Sequence, residues 1–154
     1  MPTSRSRTNT ARPSALTVTD IAQLMLGGLF AAMALAQLGS FERYSAAIES
    51  YGLFGREGAI AVSLLLAALE VAAVPVLFKL LLPGRARQVS TVAVVAVPLT
   101  WLSLMTAALA QGLSPVTGVF GGFVRLGLDV YIYGAMIGLA ILAFVVARRL
   151  WAAR

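Results

Sequence analysis

Residues 58–82 read GAIAVSLLLAALEVAAVPVLFKLLL, an apolar run interrupted by one acid, Glu70, and, towards its end, by Lys79. At 1.5 Å per residue, about 20 apolar residues in a helix cross the roughly 30 Å of hydrocarbon in a bilayer. Comparable runs occupy 20–38, 89–110 and 126–147, and most of the charged residues fall between them or outside them. The chain of 154 residues is 60% hydrophobic and only 12% charged, against about half and a quarter in an ordinary soluble domain. These runs predict an all-α integral membrane protein, a bundle of four transmembrane helices.

The flanking charges give the bundle a direction, because Lys and Arg accumulate on the cytoplasmic side. Arg5, Arg7 and Arg12 precede the first span, Lys79, Arg85 and Arg87 lie at the link between the second and third, and Arg148, Arg149 and Arg154 follow the fourth. The other two loops hold Arg43, Arg56 and Arg125. Nine against three predicts both termini inside. Residues 1–17, rich in Ser, Thr, Arg and Pro, are expected to be a disordered cytoplasmic tail, 18–149 the membrane domain and 150–154 a short cytoplasmic tail. A cleaved signal peptide competes for the first run, since Ala34-Leu35-Ala36 has the small-x-small pattern of a cleavage site; the run is long for a signal sequence, which favours a retained span.

A net charge of +6 suggests nucleic acid at first sight, but the basic residues flank apolar runs, so the expected partner is the bilayer and not a nucleic acid. The chain has no Cys and no His, which removes thiolate nucleophiles, Cys-based redox centres and the commonest metal ligand, and argues against an enzyme. No metal site is expected. In the first outer loop, Phe41, Tyr44, Ile48 and Tyr51 recur at helical spacing behind Ser40, a candidate N-cap, with Gly52 as a stop. A short helix at the membrane interface is expected, its aromatic face serving as an interface anchor in preference to a ligand-binding lid.

Glu70 falls near the middle of its span, where a carboxylate costs roughly 3 kcal/mol on insertion scales. It should therefore face protein, as a neutral carboxyl group hydrogen-bonded within the bundle; Ser63, Ala67, Ala73 and Val74 share its face and make that side the packing side. Counting depth from the span ends sets Glu70 level with Gly28, Ala32, Thr100, Trp101, Ser103 and Gly138. A structural tie between helices, a proton-handling or quinone-contacting role, and contact with a partner subunit are the open readings of Glu70. Pro75 and Pro98 each remove a backbone hydrogen bond at similar depth, predicting paired kinks. Arg125, Asp129 and Tyr133 follow at i, i+4 and i+8, predicting a salt bridge with a phenol below it. Gly134/Gly138, Gly27/Ala31 and Gly28/Ala32 are small-xxx-small pairs, marks of close helix contact within the bundle or with another protein.

The second outer loop runs Gln111-Gly112-Leu113-Ser114-Pro115-Val116-Thr117-Gly118-Val119-Phe120-Gly121. Here the chain resembles the MauE/DoxX family of four-helix bacterial membrane proteins, whose MauE-like members carry RG(L)xxxCGCFG in this loop. Supporting the resemblance are Leu69-Glu70 in the second span, the stretch from Ala36 to Tyr51, and the Arg125/Asp129 pair opening the fourth. The family's two cysteines fall on Thr117 and Val119, neither of which forms a disulfide, while Gly118, Gly121 and Gly122 keep the loop's backbone freedom. The resemblance implies a bacterial inner-membrane protein associated with redox chemistry. With the thiols missing, the expectation is a non-catalytic accessory or structural subunit of a membrane complex or of a redox-protein maturation system, with other membrane or extracytoplasmic subunits as partners. The alternatives are a membrane subunit of a quinone-linked oxidoreductase, with a quinone or lipid bound near Glu70, Thr100, Trp101 and Tyr133, and a small solute or proton carrier.

Overall fold

The computed structural model describes residues 16–113, 116–121, 126–127 and 129–152, so most of the tail expected over 1–17, the end of the chain, Gly122 and Arg125 lie outside the described residues. Five helices run in chain order: α1 (Val18–Gly39), α2 (Phe41–Glu49), α3 (Arg56–Leu77), α4 (Gly84–Ala110) and α5 (Val130–Ala152). Between α4 and α5, β1 (Val116–Thr117) and β2 (Leu126–Gly127) form an antiparallel pair, with Val116 opposite Gly127 and Thr117 opposite Leu126. All helices except α2 are long and apolar enough to cross a membrane.

The radial order of residues identifies the surrounding solvent. Gln23, Gln37, Ser63, Glu70, Ser90 and Thr91 are buried, whereas Met25, Leu35, Leu64, Leu65, Leu99, Ile141 and Val145 stand half or more exposed. Polar groups inside and leucines outside suit a bundle whose surroundings are hydrocarbon. α3 is the central helix, packed against α1, α2 and α4, while α5 packs mainly on α4 and only lightly on α1. Only 22% of the apolar window of α5 is buried in the chain, against 39–44% in the other three, so α5 is the most outward-facing helix.

Local chemistry sets the helix ends, and several differ from the ends of the apolar runs. Thr17 and Asp20 form a reciprocal capping box, so α1 begins at Val18 and Thr17 belongs to the bundle and not to a tail. α3 stops at Leu77, before the apolar run ends at Leu82. Lys79 N–H donates to the Val76 carbonyl and Leu80 N–H to the Pro75 carbonyl, a Schellman-type ending with Lys79 left-handed at φ 57°. α4 then begins at Gly84, immediately after Pro83, which cannot continue a preceding helix but fits the start of a new one. α5 starts at Val130, after the β pair has taken up Leu126 and Gly127, and runs on to Ala152.

At Pro75 the α3 ladder is repaired from outside. The Ser90 hydroxyl of α4 donates to the Ala72 carbonyl (2.5 Å) and accepts from the Val76 N–H (3.3 Å), inserting itself between two groups that would pair directly in an unbroken helix. Gln23 of α1 donates to the Val76 carbonyl (2.9 Å). Proline is tolerated in membrane helices where neighbouring hydroxyls satisfy the backbone groups it frees, and Ser90 does this here. Ser90→Ala should therefore destabilise the bundle by about 1–3 kcal/mol, the cost of stranding buried backbone groups, as read by thermal unfolding in detergent. An unchanged midpoint would mean that the ladder closes without the hydroxyl.

Candidate functional site

The polar interior gathers at Glu70. Gln37, near the end of α1, donates through Nε2 to Glu70 Oε1 (2.9 Å) and to the Val119 carbonyl (3.1 Å), and Trp101 of α4 donates through Nε1 to the same Glu70 oxygen (3.3 Å). Gln37, Glu70 and Trp101 are each 0% exposed. One carboxyl group thus joins α1, α3 and α4, and through Gln37 it reaches the loop between α4 and α5.

A lid closes the site from above. Tyr44, Ile48 and Tyr51 are fully buried, the Tyr44 ring lies 6.3 Å from Trp101, and α2 packs beside Arg56 and Ile60 at the start of α3. The aromatic face expected to anchor α2 in the membrane interface is turned into the protein instead. α3 extends beyond the end of α1 and offers these rings a protein surface to cover. Ser40 does begin α2, but its hydroxyl donates back to the Ala36 carbonyl (2.7 Å) rather than capping the new helix. Gly52 takes φ 69°, as expected of a chain stop.

Four polar atoms in this region are buried without a hydrogen-bond partner among the described residues: Gln37 Oε1, Glu70 Oε2 and the Tyr44 and Tyr51 hydroxyls. Burial pushes both phenols above their ordinary value, so both stay neutral at physiological pH. Gln37 Oε1 and Glu70 Oε2 are the two remaining atoms of a pair already joined by one hydrogen bond. A neutral Glu70 carries the donor that Gln37 Oε1 can accept, and the pair then has the donors and acceptors of a two-bond acid–amide ring.

The loop between α4 and α5 is held against the lid and α1 by close backbone approach. A Cβ on Gly118 would lie 3.1 Å from the Tyr44 ring and 3.3 Å from Ala47. At Gly121, with φ 61°, a Cβ would meet the Ala36 carbonyl oxygen at 2.5 Å. Gly112 also has positive φ, at 70°. Thr117 and Val119 both line an apolar cavity of about 190 Å³, with Leu29, Met33, Phe120, Ile132 and Met136 around them. The cavity lies at the loosely packed seam between α1 and α5.

Of the residues singled out in the sequence, Glu70 and Trp101 meet. Thr100 does not join them, its hydroxyl donating to the Ala96 carbonyl (2.8 Å), and the Tyr133 hydroxyl pairs with Thr106 (2.8 Å). Asp129 accepts from the Ile132 N–H (2.9 Å) and so caps α5; Arg125, its expected ion-pair partner, lies outside the described residues. Gly28 and Ala32 are not Glu70's neighbours from α1, because α1 is set so that Gly27 abuts Leu77 and Gln37 comes level with Glu70. Gly27 is thus a contact within the bundle, whereas Gly28, Gly134 and Gly138 face open space. Gln37, Tyr44, Tyr51 and Ser90 were not foreseen as site residues. Gln23 and Gln37, four helical turns apart on one face of an otherwise apolar span, were the signal for the first of these. Among the described residues no group of acids, His or Cys could hold a metal. Comparison with protein family models, curated proteins and solved structures finds no match.

Proposed function

We propose that this chain is a non-catalytic accessory or structural subunit of a bacterial inner-membrane complex or redox-protein maturation system, a cysteine-less relative of the MauE/DoxX group, with both termini cytoplasmic and α2 at the outer surface. The orientation rests on the nine-to-three distribution of basic residues. The observation that carries the subunit reading is the free face of α5, where Gly134 and Gly138 are exposed and a Cβ on either would meet nothing within 4 Å. Such small-residue pairs let a second helix approach closely in a bilayer, where dispersion and not hydrophobicity drives association. Glu70 fits this reading as a tie: it is fully enclosed, and its partners come from two other helices.

The double change Gly134→Leu and Gly138→Leu is expected to leave folding of the isolated chain intact and to abolish co-purification of its partner from native membranes, measured by affinity pull-down after mild extraction. Retained partners would remove this face as the contact. A quinone-linked subunit is the second reading, favoured by the apolar cavity at Thr117 and Val119, because Val119, which lines it, is bonded through its carbonyl to Gln37 and so to Glu70. Under that reading Glu70→Gln would lower quinone-linked turnover of the complex; under the subunit reading turnover is unchanged.

A further inference from the structure

At the opposite end of the bundle from the lid, a cavity of about 340 Å³ is lined by Asp20 of α1, by Lys79 and its leucines after α3, by Arg87 of α4 and by Arg149 of α5. Three cations face one carboxylate there. We infer that this cavity binds the phosphodiester headgroup of an anionic phospholipid, with Lys79, Arg87 and Arg149 as its donors and Leu80 to Leu82 against its acyl chains.

Each cation is oriented yet keeps donors to spare. Lys79 Nζ lies 2.7 Å from Asp20 Oδ1, Arg149 Nη1 lies 3.8 Å from the same oxygen and 3.0 Å from Thr17 Oγ1, and Arg87 Nη2 donates to the Leu150 carbonyl (3.3 Å). The Lys79 and Arg149 side chains remain 49% and 47% exposed. An ammonium has three donors and a guanidinium five, so the contacts within the chain leave most of them for an oxyanion, in the charge-assisted geometry that favours phosphate. Lys79 also holds a left-handed backbone conformation that costs a non-glycine residue roughly 1–2 kcal/mol, and the place where this strain is accepted sets its ammonium at the cavity.

The apolar wall distinguishes a lipid from free phosphate. Leu80 is 59% exposed and Leu81 fully exposed, directly after Lys79. Leucines open to the surroundings beside a cluster of cations match a molecule with an anionic head and hydrocarbon tails, and basic pockets between membrane helices are known lipid headgroup sites. Inorganic phosphate would use the cations and leave the leucines without a role.

The test uses the full chain in mild detergent, with phosphatidylglycerol or phosphatidylcholine of identical acyl chains added and bound lipid counted by native mass spectrometry. The expected result is one phosphatidylglycerol retained at least tenfold over phosphatidylcholine, with the preference lost in Arg87→Gln/Arg149→Gln and kept in Arg85→Gln/Arg148→Gln, which removes equal charge outside the cavity. Lys79→Gly, which eases the backbone while removing a cation, should lose the preference without losing thermal stability, so that failure to fold is not mistaken for failure to bind. Equal loss in both double variants would reduce the effect to diffuse surface charge and overturn the site. Displacement of the lipid by millimolar inorganic phosphate would overturn its assignment to a lipid.

Discussion

Glu70→Leu is expected to destabilise the bundle by about 2–5 kcal/mol, whereas Glu70→Gln should stay within about 1 kcal/mol of the parent chain. Leucine leaves the Trp101 indole N–H without its acceptor and removes one of two acceptors from Gln37, in a region where all three side chains are 0% exposed. Stranding a buried donor costs about 1–3 kcal/mol, and the lost fit of the carboxyl group adds to it. Glutamine keeps the acceptor for both donors and supplies an N–H for Gln37 Oε1, so it reproduces the ring that a neutral carboxyl group forms. Unfolding of the two variants in detergent, followed by circular dichroism, separates them. Glutamine as damaging as leucine would show that the proton or charge of Glu70, and not its hydrogen bonds, is what the fold requires.

Gly121→Ala is the second large effect, expected at about 2–5 kcal/mol. A left-handed backbone costs an L-residue about 1–2 kcal/mol, and overpacking a filled site costs about 1–3 kcal/mol more. The obstruction cannot step aside cheaply, because the nearest atom to the new Cβ, at 2.5 Å, is a backbone oxygen of α1, Ala36 O, with Ser40 Oγ at 2.6 Å beside it. Gly112→Ala is the control: it shares the positive φ, at 70°, but would meet nothing within 4 Å, so it should show only the smaller conformational cost. Thermal midpoints measured side by side give the comparison. Equal losses at the two positions would mean that the close approach of the loop to α1 contributes nothing.

The membrane spans could be read from the sequence because their signal is additive over about 20 residues and depends on no neighbour. The Glu70–Trp101 pair was legible by counting depth along the two apolar runs, 58–82 and 89–110. The same counting misplaced α1, because α3 overhangs the end of α1 and α2 fills the step, which brings Gln37 and not Gly28 or Ala32 to Glu70. The α2 helix was legible in its aromatic spacing, but the direction its rings face depends on that overhang, a tertiary fact with no local signature. Likewise Pro75 announced a broken ladder, whereas its repair by Ser90, fifteen positions further along the chain, depends on how α3 and α4 are set against each other. Asp129 fits both a salt-bridge pattern and a helix cap; its side chain caps α5, and the salt bridge falls on Arg125, outside the described residues.

Two ends of one bundle therefore carry different chemistry: a closed polar tie beneath an aromatic lid, and an open basic cavity among leucines. Between them α5 turns much of its surface outward. Gentle extraction from the native membrane followed by native mass spectrometry tests the subunit reading most directly. The mass of this chain bound stoichiometrically to at least one other membrane or extracytoplasmic protein is the predicted result, and recovery only as a free monomer would contradict it.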